Sequence, residues 1–107
     1  MQNHISLQKA KDALEKSGNP FQILFNHGSL SAELYKPDKV DNQSPHTRDE
    51  IYIIASGTGQ FNLAGEITSV NSGDFLFVPA GASHHFFDFT ADFSTWVFFY
   101  GPEGGEK

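Results

Sequence analysis

The chain contains no cysteine, which excludes disulfides and thiolate metal sites. Positive charge is scarce as well. Lys and Arg number 7 against 13 Asp and Glu, for a formal net charge of -6, and between Val40 and Glu106 the sole Lys or Arg is Arg48. No strip of side chains can neutralise a row of phosphates, so nucleic acid is excluded as a partner class. The same shortage argues against ligands held by a phosphate group, because such sites draw on Arg, Lys or a glycine-rich helix start. Long apolar runs are also missing. Nothing approaches the ~20 residues of a membrane-spanning helix, and the opening MQNHISLQKAKDALEKSG lacks the apolar core of a secretory signal. The expectation is a cytoplasmic protein with neither a membrane nor a nucleic-acid partner.

What is present is a chain of 107 residues, enough for one hydrophobic core. Aromatic residues make up 14% of it, and eight of the 11 Phe lie after residue 74, which marks the C-terminal third as the best buried. Ser6 to Lys16 reads as a short helix: Ser6 stands at the N-cap, Leu7, Ala10 and Leu14 share one face, and SGNP supplies the stop. Its apolar stripe is narrow, so it is expected to lie on the outside of something larger.

After the helix the punctuation changes. Apolar runs at 21–25, 29–35, 50–55, 59–64, 66–70, 74–78, 84–90 and 93–100 are divided by KPDKVDNQSP, SGTG, NSG, PAGAS, TAD and single glycines. About eight short strands with no intervening helix predict an all-β antiparallel sandwich or barrel of the jelly-roll kind. The glycine-rich, charged GPEGGEK at the end reads as a loose tail.

Two motifs carry a resemblance to the cupin superfamily. Gly73, Pro79, Gly81 and His84 follow the pattern G-x5-P-x-G-x2-H, with Asp88 where the family often places Asn. Upstream, His46, Glu50 and Gly57 match the latter part of the pattern H-x-H-x3-4-E-x6-G. The leading histidine of that pattern is absent; Ser44 occupies its position, with Gln43 beside it. The two motifs span Gln43 to Asp88, nearly half the chain. The resemblance implies a double-stranded β-helix, the jelly-roll cupin barrel, over residues 21–101. Residues 1–20 then form a helical segment packed on the barrel, and residues 102–107 a flexible tail. It also implies that His46, Glu50 and His84 hold a metal ion, with Gln43 a possible fourth ligand through its carbonyl oxygen.

The chemistry of these residues points to the same group. In a straight strand His46 and Glu50 would share a face but stand roughly 13 Å apart, at about 3.3 Å per residue. They can share an ion only if TRD bends. Two imidazoles and one carboxylate form a donor set that leaves coordination positions open and accepts Fe, Mn, Ni, Co or Zn, among which affinity alone does not select. His84 and His85 are adjacent and so face opposite sides of a strand; motif spacing selects His84. His27 either lines the cavity, supports a ligand or is structural. His4 is assigned nothing.

Strand alternation carries Phe86 and Asp88 inward with His84, and Tyr52 and Ile54 inward with Glu50. Tyr52 and Asp88 are therefore the candidates for proton transfer. On the last strand both faces are apolar, Thr95, Val97 and Phe99 on one and Trp96, Phe98 and Tyr100 on the other, so alternation does not decide which is inside. Cover on both sides is expected, from the helix or from a second subunit, and a homodimer is predicted, as many cupins are. The aromatics either wall a cavity for a small organic ligand or fill the core and leave only water-sized space.

Three functional readings follow. The first is a metal-binding cupin acting on a small molecule by oxygenase, isomerase or lyase chemistry. The second is a non-catalytic ligand-binding module, and the third a structural barrel with a degenerate site.

Overall fold

The computed structural model describes residues 3–107. Ser6 caps the helix α1 (Leu7–Ser17): its Oγ accepts the Lys9 N–H at 3.1 Å, filling one of the donors that a helix start leaves unpaired. Gly18 ends α1 in the left-handed conformation, φ 70°, with its N–H on the Glu15 carbonyl, the glycine C-cap expected of SGNP. Eight strands follow: β1 (Phe21–His27), β2 (Leu30–Tyr35), β3 (Asp49–Ser56), β4 (Thr58–Leu63), β5 (Glu66–Asn71), β6 (Phe75–Val78), β7 (His84–Phe87) and β8 (Ser94–Tyr100).

The strands form two antiparallel sheets, β1-β2-β8-β3-β6 and β5-β4-β7, faced against one another as a jelly roll. Alternation sorts the side chains. Tyr52 and Ile54 of β3, Val78 of β6 and Val97 of β8 meet Phe61 of β4, Val70 of β5 and Phe86 of β7, all essentially buried. Tyr52 stands edge-on to Phe86 at 4.9 Å between centroids, while Phe61 and Phe93 lie 4.7 and 4.9 Å from it. Burying one such side chain contributes about 1.5–3 kcal/mol, and the tilted ring contacts add to this.

The outer face of the larger sheet carries a second cluster. Ala10 and Leu14 of α1 pack on Leu34 of β2, joined by Leu24, Ala55 and Trp96. The two faces of β8 are thereby told apart: Thr95, Val97 and Phe99 point inward, and Trp96 lies under the helix.

Gly57 shows why the upstream motif ends in glycine. It turns β3 into β4 at φ 78°, where an added Cβ would stand 2.5 Å from Thr90 Oγ1 and 2.7 Å from Phe93 Cα. No L side chain fits there.

The expectation fails in two places. β7 stops at Phe87 instead of running to residue 90, because Asp88 takes φ 48° and turns the chain. The GPEGGEK tail is not loose either. Gly104 N–H donates to the Thr47 carbonyl at 2.7 Å, Glu106 N–H donates to Asp49 Oδ2 at 2.8 Å, and Gly105 is buried. Glycine there allows close backbone approach, a role that composition cannot separate from flexibility. No helix among the described residues is long and apolar enough to cross a membrane.

Candidate metal centre

The TRD segment does bend. Thr47 and Arg48 leave the extended path just before β3 begins, and His46 folds back so that its Nδ1 lies 3.2 Å from Glu50 Oε1. Backbone and side chain hold this turn from several sides. Gly81 N–H donates to the His46 carbonyl at 2.7 Å, Gly104 N–H to the Thr47 carbonyl, and Arg48 Nε to the Gly101 carbonyl at 3.0 Å. The Asp49 carboxylate accepts the N–H groups of Ala80 and Glu106, which hold it below the usual carboxylate range. The PAGAS turn and the C-terminal tail together therefore fix the position of His46.

His84 opens β7 opposite Leu63, and its Nε2 lies 3.2 Å from the same Glu50 Oε1. Its Nδ1 is 2.9 Å from the Ala82 carbonyl. A carbonyl can only accept, so Nδ1 carries the proton and neutral His84 presents a bare lone pair at Nε2. His46, Glu50 and His84 each offer a ligand atom, all within 4.8 Å of one another. The rings of His46 and His84 are 5.2 Å apart, and Phe99 backs His46 at 4.9 Å.

Among the described residues, His46 Nδ1, Glu50 Oε1 and Oε2, and His84 Nε2 are buried without a hydrogen-bond partner, with Arg48 Nη2 the one other such atom. Buried polar atoms are nearly always paired. Here four acceptors or potential acceptors converge on one point from three residues, an arrangement that a shared cation satisfies and that neutral packing does not. Burial pushes the Glu50 carboxyl up, but the two imidazoles outweigh it and hold it below its ordinary value. Burial pushes His84 down, and the Glu50 carboxylate and the Ala82 carbonyl more than reverse this. Protons would therefore compete with any metal ion held there.

Tyr52 is fully buried next to Glu50, and its hydroxyl donates to Gln43 Oε1 at 2.9 Å. Burial and then the charge of Glu50 push the phenol well above its ordinary value, so it keeps its proton. The Gln43 amide in turn donates to Asp41 Oδ2 at 2.7 Å. Gln43 therefore stands beside the centre with its carbonyl oxygen already engaged by Tyr52. Ser44 is exposed and outside the group.

Asp88 departs from its predicted inward position. The turn at φ 48° ends the alternation, and its side chain is exposed. His85 sits on the outer face of β7 with its ring on Phe87 at 5.6 Å. His27, at the end of β1, is exposed and neighbours Phe25.

Three polar residues escape a reading of the sequence. Asp41 is buried and accepts the Tyr35 hydroxyl at 2.5 Å, the Gln43 amide and the Phe86 N–H at 2.8 Å. It ties the 36–48 loop to both sheets, yet it lies in KPDKVDNQSP, which reads as plain loop. Tyr35 and Glu33 line a cavity of about 660 Å³ together with Gln43, His46, Glu50 and Phe99. Their shared parity on β2 was the available signal, but nothing local says which face of β2 is inside. The cavity lies beside the aromatic core, reaching it through Val97 and Phe99.

Comparisons with known proteins agree with this fold. The cupin domain family model matches residues 31–95. An uncharacterized protein of Streptomyces coelicolor is 36% identical over 77 residues, 70% of this chain and 73% of that protein. Among solved structures, KdgF from Halomonas sp. superposes with a TM-score of 0.67 at 21% identity, covering 78% of this chain and 80% of that one. An RmlC-like cupin from Shewanella frigidimarina does so with a TM-score of 0.63 at 24% identity, over 77% and 75%. With more than half of its length matched by the family model, and two sheets enclosing a His-Glu-His group at the family's motif positions, the chain belongs to the cupin family.

Proposed function

We propose that this cupin holds one divalent transition metal ion on His46, Glu50 and His84 and binds a small organic molecule against it. The observation that carries this reading is the convergence of four buried, unpartnered ligand atoms on a single point. Fe, Mn, Ni, Co and Zn all suit two imidazoles and a carboxylate. Such an ion, when bound, polarises a coordinated oxygen or acidifies a coordinated water.

The chain supplies the surroundings. Ala82 sets the tautomer of His84, Phe99 backs the ring of His46, and the 660 Å³ cavity lies in the size range of small-ligand sites. Tyr52 keeps its proton and so serves as a hydrogen-bond donor beside Glu50, the remaining candidate for proton transfer at the centre. Gln43 supports Tyr52, and the three residues His46, Glu50 and His84 form the ligand set without a fourth histidine.

A homodimer is part of the proposal. On the outer face of the larger sheet, Phe75 and Phe77 of the edge strand β6 are 61% and 43% exposed and stand beside Ile53 and Ile51 of β3. An apolar patch of this kind supports a second copy as its cover.

Metal analysis tests the central claim. Protein purified without chelator, or titrated afterwards, is expected to carry roughly one equivalent of a transition metal. A content near zero with no binding on titration overturns it.

A further inference from the structure

Glu33 is the polar residue of the cavity that no other group explains. It lies on β2 opposite Val97, and Val97 lies opposite Tyr52 on β3. Its side chain thus shares the inner face with the metal centre, two strands away, outside the ligand group itself. It is half-buried and accepts no hydrogen bond from any described residue. Burial, and then the negative charge of Glu50, push its carboxyl up to about 7, against a smaller opposing pull from His46. A carboxyl is raised in this way where a cationic partner is missing.

No Lys or Arg lines the cavity, whereas Glu33, Asp38 and Glu50 all do. With those three carboxylates ionised, as at pH 8, a divalent ion on the three ligands leaves the cavity with one net negative charge. One positive charge completes the balance; a dianion would take it to -3. Resting on the metal-centre reading above, we propose that Glu33 is the specificity-determining residue of the cavity and that it selects a small ligand bearing a protonated amine, whose other end reaches the metal centre. The amine donates to the Glu33 carboxylate, a charge-assisted hydrogen bond in a partly water-excluded site. Phosphorylated and dicarboxylate compounds are rejected, because they meet Glu33 and Asp38 with like charge and find no cationic side chain.

The test uses three probes of similar length, one cationic, one neutral and one anionic, on the full chain loaded with cobalt(II): 4-aminobutan-1-ol, butane-1,4-diol and 4-hydroxybutyrate. The visible band of the cobalt reports binding at pH 8, where Glu33 is ionised. The amine is expected to bind more tightly than the hydroxy acid by about tenfold or more, with the diol between them. In Glu33→Gln, still loaded with cobalt, the amine and the diol are expected to converge to within about twofold, and Glu33→Asp to restore part of the difference. Tightest binding of the hydroxy acid by the wild type overturns the proposal without recourse to any variant. So does an unchanged probe order in Glu33→Gln. Failure of the wild type to bind cobalt overturns the metal-centre reading and this proposal together, whereas bound cobalt with an indifferent Glu33 overturns this proposal alone.

Discussion

Glu50 is the residue on which the site turns, because both of its oxygens are buried and both histidines aim at one of them. Losing either imidazole leaves that carboxylate with half of its partners. His46→Ala and His84→Ala are each expected to weaken metal binding by more than the ~10–100-fold that removal of a supporting residue costs. His85→Ala, on the opposite face of β7, leaves it unchanged. Calorimetric titration of the three variants reads this directly, and metal retained by His84→Ala would refute the ligand assignment.

Glu33 makes a separate prediction about stability. Its carboxyl binds a proton more tightly in the folded chain, with a value of about 7 against an ordinary 4.5. Between those values the folded state holds more protons than the unfolded one, so stability contributed by this group falls as pH rises from about 4.5 to 7 and is level above. Melting of metal-free protein is the measurement. The advantage of wild type over Glu33→Gln is expected to shrink across that window, and parallel curves would contradict it.

At the scale of elements, the turn that delivers His46 is decisive. A straight approach to β3 would leave roughly 13 Å between His46 and Glu50; the bend at Thr47 and Arg48 leaves 3.2 Å. Asp49 holds the bend by accepting from Ala80 on one side and Glu106 on the other. Its lowered pKa means that this contribution is present above the ordinary carboxylate range and is lost as pH falls through the depressed value. Asp49→Ala is expected to weaken metal binding about 10–100-fold although the residue is no ligand, because His46 loses its anchorage. Metal affinity equal to wild type in a folded Asp49→Ala variant counts against the anchoring role.

The helix is a separate unit. Leu14 is 6% exposed against Leu34 and Trp96, and Leu14→Ala is expected to cost about 2–3 kcal/mol, the lower part of the range for buried leucines, since α1 lies at the surface. Metal binding is retained in that variant, as measured by denaturant melts alongside titration.

At the scale of the whole molecule, the exposed Phe75 and Phe77 beside Ile51 and Ile53 lead to a test by light scattering. Wild type is expected at twice the chain mass and Phe77→Glu at the chain mass; a wild-type monomer removes the dimer.

Much of the plan was local in origin. Ser6 and Gly18 bound the helix, turn residues separate eight strands, and the spacing from Gly73 to His84 marks the second motif, because caps, glycine turns and motif spacing act over a few residues. Asp88 shows where that logic stops. Alternation put it inside, but one residue in the left-handed region ended the strand.

By itself, then, the sequence determined the all-β class, the order of elements and the motif positions of His46, Glu50 and His84, because period, turn chemistry and spacing are written between near neighbours. Only the tertiary structure decided which face of β8 is inside, that the tail clamps the TRD bend, that Tyr35 and Glu33 join the cavity, and that Asp41 is buried as a shared acceptor. Those outcomes depend on contacts between residues far apart in the chain, such as Thr47 with Gly104 or Asp41 with Phe86. Burial, which turns a loop aspartate into a hub and a strand glutamate into an unpartnered acid, exists only once the two sheets have closed on each other.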